Sequence, residues 1–312
     1  MGFQCLGNWF ELVAEVTFLA LRSLLARALW QRIHPLAPMF QEQGVVIPSE
    51  VITITSLRLD FRETGTRYVS SLPLKMTAHL SATDADVFMS WLLQRLSRQN
   101  LIDPPVPTHD SLITAIWQLC QLSARPAGQL ELFLTPAGVA VWLHHWSQQS
   151  EETLKAVFSR PHGLVEDRGH DWPMAQRRQL HPEAFIQYLY ARCYQLIRTS
   201  GENTLEQGRT TKGKSQSDLT QPQPQFACFA PEEQAVIYPL VHLVDHLEVS
   251  SLKPEGLWKL GQQLTAATEI WLGKLSATRF LSPAQILILR GVERALLALM
   301  PYRLGKSLTK CL

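Results

Sequence analysis

The sequence has little of what marks the more specialised protein classes. Its five cysteines, at 5, 120, 193, 228 and 311, are odd in number and far apart, with no CxxC pair and no histidine at zinc-finger spacing. That excludes a disulfide framework and a zinc knuckle, and predicts reduced thiols in a cytosolic (cytoplasmic) chain with no metal and no cofactor. Long apolar runs are also missing. The nearest approach, "WFELVAEVTFLALRSLLARALW" (9–30), is interrupted by Glu11, Glu15, Arg22 and Arg27 and lacks the basic start of a secretory signal, so it reads as a soluble amphipathic helix with no membrane partner. Leu6 stands where an N-myristoylation motif needs Ser or Thr. No glycine-rich phosphate loop follows a strand, and no internal repeat is present. A formal net charge of only +2 excludes a chain that binds polyanions by bulk charge.

What is present is 312 residues with 46% hydrophobic content, enough for two ordinary cores. The small net charge hides an uneven distribution. Residues 1–150 hold ten Lys/Arg against eleven Asp/Glu, whereas 168–214 hold eight against four, and from Arg290 onward five basic residues face only Glu293. Basic character therefore belongs to the second half.

The hydrophobic period changes along the chain. In "VITITSLRLDF" (51–61), Val51, Leu57, Leu59 and Phe61 share one parity against Arg58 and Asp60, and "QLELFLTPAG" sets Leu130, Leu132 and Leu134 against Gln129 and Glu131; both alternations predict strands with one buried face. Between them "TDADVFMSWLLQRLSRQ" (83–99) predicts a helix with Thr83 as N-cap and Asp84 and Asp86 in its first turn. Residues 1–150 are thus expected to form a small α/β or α+β domain, and 151–180 a linker with room for one helix. The stretch 200–225 is almost free of large apolar residues and is expected to be a disordered loop. From 231 on, only helical spacings occur: Val236, Leu240, Leu243, Val244, Leu247; Leu257, Leu260, Leu264, Ala267, Trp271; Ile286, Leu289, Val292, Leu296, Leu299. With 185–198 they predict a helical bundle over 181–312, its Pro254 and Pro283 near helix starts. The expected fold class is α+β.

The segment "FIQYLYARCYQLIR" (185–198) is amphipathic. Ile186, Leu189, Cys193, Leu196 and Ile197 share one face; Gln187, Tyr194, Gln195 and Arg198 fall on the polar side, where Arg192, Gln195 and Arg198 recur every three residues, with Tyr188 beside them and no acid within the segment. Planar donors beside aromatic rings are the groups that hold unstacked RNA bases, and Arg177 and Arg178 just upstream suit phosphates, as do Arg290, Arg294 and Arg303 of the tail.

The same residues carry a resemblance. "FIQYLYAR" is similar to the Y-x-Q-Y-A-H-A-R run that opens the anticodon-binding domain of arginyl-tRNA synthetases, a helical bundle of the DALR type. Gln187, Tyr188, Ala191 and Arg192 match, and Phe185 and Tyr190 replace Tyr and His. Downstream, "APEEQAVIYPLVHLVDHLE", "LKPEGLWKLGQQLTAATEIWLGKL" and "LSPAQILILRGVERALLALMPYRLGKSL" resemble the family's later helices in order. "GTRYVSSLPLKMTAHL" (65–80), with Gly65 and Tyr68 kept, and "QLELFLTPAGVAVWL" resemble an eroded form of that family's N-terminal additional domain. The resemblance implies tRNA binding without catalysis, because neither the H-I-G-H motif nor a placed K-M-S-K-S loop occurs; "KGKSQS" (212–217) echoes the latter only inside the expected loop.

Other candidates have plainer readings. His242 and His246, at i and i+4, lack the glutamate of H-E-x-x-H and read as a solvated helix face, not metal ligands. His144 and His145 are adjacent, so they point apart, and Cys193 reads as a small core hydrophobe. Two functions stay open: a tRNA-binding protein, or a non-catalytic scaffold whose bundle takes a protein partner such as a synthetase.

Overall fold

The computed structural model describes residues 20–42, 45, 57–60, 66–78, 82–102, 111–125, 128–158, 182–209, 229–249, 254–275 and 281–300. The chain is α+β and divides into two compact units, Met1–Trp142 and Leu143–Leu312. The division falls eight residues before the boundary expected at 150.

In the first unit, α1 (Leu21–Ile33), α2 (Ala37–Glu42), α3 (Leu72–Met76), α4 (Ala82–Ile102) and α5 (Ser111–Gln118) accompany four strands, β1 (Leu57–Asp60), β2 (Thr66–Ser70), β3 (Cys120–Arg125) and β4 (Gln129–Leu134). The sheet is antiparallel throughout, in the order β1-β2-β4-β3, which makes this unit α+β. Register puts Leu57 and Leu59, Tyr68, and Leu130, Leu132 and Leu134 on the buried face. Helices α1, α3 and α4 pack against the strands, and α1 also packs on α5. The opposite face is polar. There Arg125 pairs with Glu131 at 2.7 Å and with Asp60, Ser123 donates to Glu131 at 3.0 Å, and Arg67 lies 4.9 Å over the Phe133 ring. The parity expected for β1 and β4 is the observed one. Val51 and Phe61 lie outside the described residues, as does 9–19 of the N-terminal apolar stretch. Helix α4 starts at Ala82, one residue before the Thr83 expected as its N-cap.

The boundary between units falls within α6 (Pro136–Ser147). The second unit continues with α7 (Glu151–Phe158), α8 (Pro182–Arg209), α9 (Pro231–Val249), α10 (Pro254–Leu275) and α11 (Pro283–Leu299). Helix α7 packs on α9 and α11, so the first part of the expected linker belongs to the bundle. Helix α8 runs to Arg209, past the expected loop start at 200, while 210–225 lie outside the described residues. Proline at the first helical position, where no intrahelical N–H is needed, opens α6 and α8 to α11. Helix α11 adds a full capping box: the Gln285 backbone N–H donates to Ser282 Oγ and the Ser282 N–H donates to the Gln285 side chain. Its apolar stripe buries Leu289, Val292, Leu296 and Leu299 completely, against α8, α9 and α10.

Candidate nucleic-acid interface

The sequence of α8 explains its position. Ile186, Leu189 and Cys193 recur at three- and four-residue spacing and are fully buried against α10 and α11. Burial without a cationic partner of comparable weight pushes the Cys193 thiol up to about 12, which leaves it an inert core residue. Leu196 and Ile197, expected on the same stripe, are half-buried.

The polar side of α8 is two rows, not one. Tyr188, Arg192 and Gln195 follow i, i+4, i+7 along one flank; Gln187, Tyr194 and Arg198 follow a parallel row along the other. The first flank meets α10. There Arg192 donates to both carboxylate oxygens of Glu269, at 3.1 and 2.9 Å, and to the Tyr188 hydroxyl at 3.4 Å. The acid missing from the segment is thus supplied from 77 residues away, and Arg192 is occupied by a half-buried pair. Gln187, Tyr188 and Gln195 are exposed, and the Tyr188 ring lies nearly parallel to Phe185, with centroids 6.4 Å apart.

The second flank meets α11. Tyr194 and Arg198 from α8, Arg290, Glu293 and Arg294 from α11, and Ser147 at the end of α6 line a groove of 280 Å³. The structure therefore gathers three of the arginines singled out in the sequence, Arg198, Arg290 and Arg294, and leaves Arg192 out of the groove. Arg177 and Arg178 lie outside the described residues, as does Arg303.

In the sequence Glu293 stands out only as the acid opposing the basic tail. It is 8% exposed. Burial pushes its carboxyl above the ordinary glutamate range, with Arg294 and Arg290 acting in the opposite sense, and the nearby Tyr190 phenol is raised by its own burial and then by Glu293. No hydrogen bond or ion pair among the described residues reaches the Glu293 carboxyl, and the Arg294 Nε is buried with no acceptor. A signal was present in the sequence: Glu293 is one turn from Leu289 and three residues from Leu296, inside the apolar stripe of its helix.

No protein-family model, curated protein or solved structure matches this chain. The groove combines fixed positive charge from two helices, an aromatic ring that is 50% exposed, and a buried acid.

The histidine pairs differ from each other. His144 is exposed, while His145 is half-buried between the fully buried Trp142 and Trp146, and burial lowers its pKa. His242 and His246 meet edge to face at 4.8 Å on a half-buried part of α9, a less solvated setting than expected; burial, then the neighbouring His246, lowers His242 to about 4. Among the described residues, no group of three or more His, Cys, Asp or Glu is placed to hold a metal ion, and no helix is long and apolar enough to cross a membrane.

Proposed function

We propose that the C-terminal unit is an RNA-binding helical bundle of the DALR kind, which holds a single-stranded part of a tRNA in the groove between α8 and α11. The observation that carries this reading is the convergence of Arg198, Arg290 and Arg294 beside the exposed ring of Tyr194. Three guanidinium groups on two rigid helices supply phosphate contacts, and an exposed tyrosine supplies a stacking surface. The resemblance of "FIQYLYAR" to the opening of an anticodon-binding bundle points to the same helix. Among the described residues of this unit, the exposed large hydrophobic side chains are Tyr188, Tyr194 and Ile270. Two of these three are tyrosines on the α8 rows, which favours RNA over a protein docking on an aliphatic patch.

The test is titration of labelled tRNA with the full chain across a salt series. A footprint of roughly four to six phosphates gives a slope of about −3 to −5 in log affinity against log salt. Arg198→Ala with Arg290→Ala is expected to reduce that slope by about 1.4 to 1.8, since each neutralised phosphate contributes roughly 0.7 to 0.9. Arg192→Ala leaves it unchanged, because Glu269 already takes that charge. Absence of tRNA binding at low salt, or an unchanged slope in the double variant, overturns the reading and leaves the scaffold function in its place.

A further inference from the structure

A groove built only to grip phosphate has no use for a buried acid at its wall. Glu293 opposes an anionic ligand by like charge, and no ion pair to Arg290 or Arg294 ties up its carboxyl, which lines the groove. Arg294 is in the complementary position, with a buried Nε that has no acceptor. The groove therefore sets an acid and guanidinium donors side by side with no ion pair between them. A ligand that answers both must present adjacent N–H groups along one edge and oxygen or nitrogen acceptors along the next. It must also be flat enough to lie on Tyr194.

We infer that this groove is a base-specific pocket for guanine, with the Glu293 carboxylate accepting from N1–H and the exocyclic amine while an arginine fork donates to O6 and N7. This rests on the RNA-binding reading above and adds which base is selected. The other bases fit less well on the same chemistry. Guanine alone sets two N–H donors side by side, matching the two oxygens of a carboxylate, and its O6/N7 pair is the usual target of an arginine fork. Adenine offers a single amine flanked by acceptors, cytosine a single amine with an acceptor on one side and C5–H on the other, and uracil a single imide N–H between two carbonyls; none offers a second N–H to the other Glu293 oxygen. Tyr194 stacks on any base, so stacking gives affinity and Glu293 gives the choice.

The test uses the full chain and a short uridine oligoribonucleotide, compared with the same oligomer carrying one central guanosine, adenosine, cytidine, inosine or 7-deazaguanosine. Guanosine is expected to tighten binding by roughly five- to hundred-fold over the uridine parent. Inosine, which lacks the exocyclic amine, and 7-deazaguanosine, which lacks N7, should each give back part of that gain. Glu293→Gln should remove the guanosine preference while the uridine parent binds at least as tightly as before, since the like charge is gone. That second measurement also shows that the variant is folded, and the inosine comparison needs no variant at all. Equal binding of every oligomer overturns the guanine pocket but leaves the RNA-binding reading standing. A preference for adenosine or cytidine, or a guanosine preference that survives Glu293→Gln, likewise overturns it. If no oligomer and no guanosine monophosphate binds, the guanine pocket falls; if tRNA also fails to bind, both readings fall.

Discussion

At the scale of single residues, Glu293 makes a prediction about stability that separates it from an ordinary surface glutamate. Burial holds its carboxyl above the usual 4.5, so the folded chain binds that proton more tightly than the unfolded chain does. Stability from this group is therefore present below 4.5 and declines as pH rises through the raised value. Glu293→Gln is expected to raise the melting temperature at neutral pH and to leave it unchanged below 4.5, which a thermal series across pH will show. A binding residue that costs stability is the usual compromise at sites selected for function. His242 has the opposite sign. Its folded-state value, lowered from 6.5 to about 4 by burial and then by His246, gives stability that is full above 6.5 and lost between 6.5 and about 4. For a half-buried ring the loss is about 1–3 kcal/mol. His242→Gln should flatten that acid limb in chemical denaturation at pH 7 and pH 4; an unchanged pH dependence would remove the group from the account.

At the scale of elements, packing around α11 depends on one missing side chain. A Cβ on Gly291 would stand 2.5 Å from Leu143 Cδ1 and 3.1 Å from Leu240 Cδ2, and the Gly291 carbonyl accepts from the Trp146 indole N–H at 2.9 Å. Leu143, Leu240 and Trp146 are fully buried and have nowhere to move. Gly291→Ala is expected to destabilise the chain by about 1–3 kcal/mol despite its better helix propensity, measured as a lower denaturation midpoint. The same packing explains what could be read from sequence. Helices α9, α10 and α11 each bury one stripe, so their period was visible, and β4 alternates cleanly. Strand β2 was hidden because two of its three buried residues are Thr66 and Ser70, which carry no hydrophobic signal. Strand β3 was hidden because only Cys120 in it is fully buried. Helix α8 outran its apolar stripe because extending a packed helix costs far less than starting one. In the site, the arginines and tyrosines were legible one by one. Their division between two flanks of α8 was not, since it depends on Glu269 and Glu293, contributed by helices whose placement no local pattern reveals.

At the scale of the whole chain, the missing H-I-G-H motif and the unplaced K-M-S-K-S echo predict no arginine-dependent pyrophosphate exchange above a heat-treated control. Exchange at a synthetase-like rate would mean that catalysis has been rebuilt from other residues. A last consequence concerns many copies of the chain, not one. The sheet of the first unit does not close on itself: in the described order its margins are β1, four residues long, and β3, six residues long. Among the described residues each margin presents a row of main-chain groups that a strand from another molecule would complete, the template from which ordered aggregates grow. On β3 the guard is Arg125, tied across the sheet to Glu131 and Asp60, with polar Gln121 and Ser123 beside it. Arg125→Val removes that guard and strengthens strand propensity in one step. The variant is expected to remain folded when dilute and to scatter light increasingly with concentration and time, so the ion network on the open face of the sheet serves as a barrier to polymerisation.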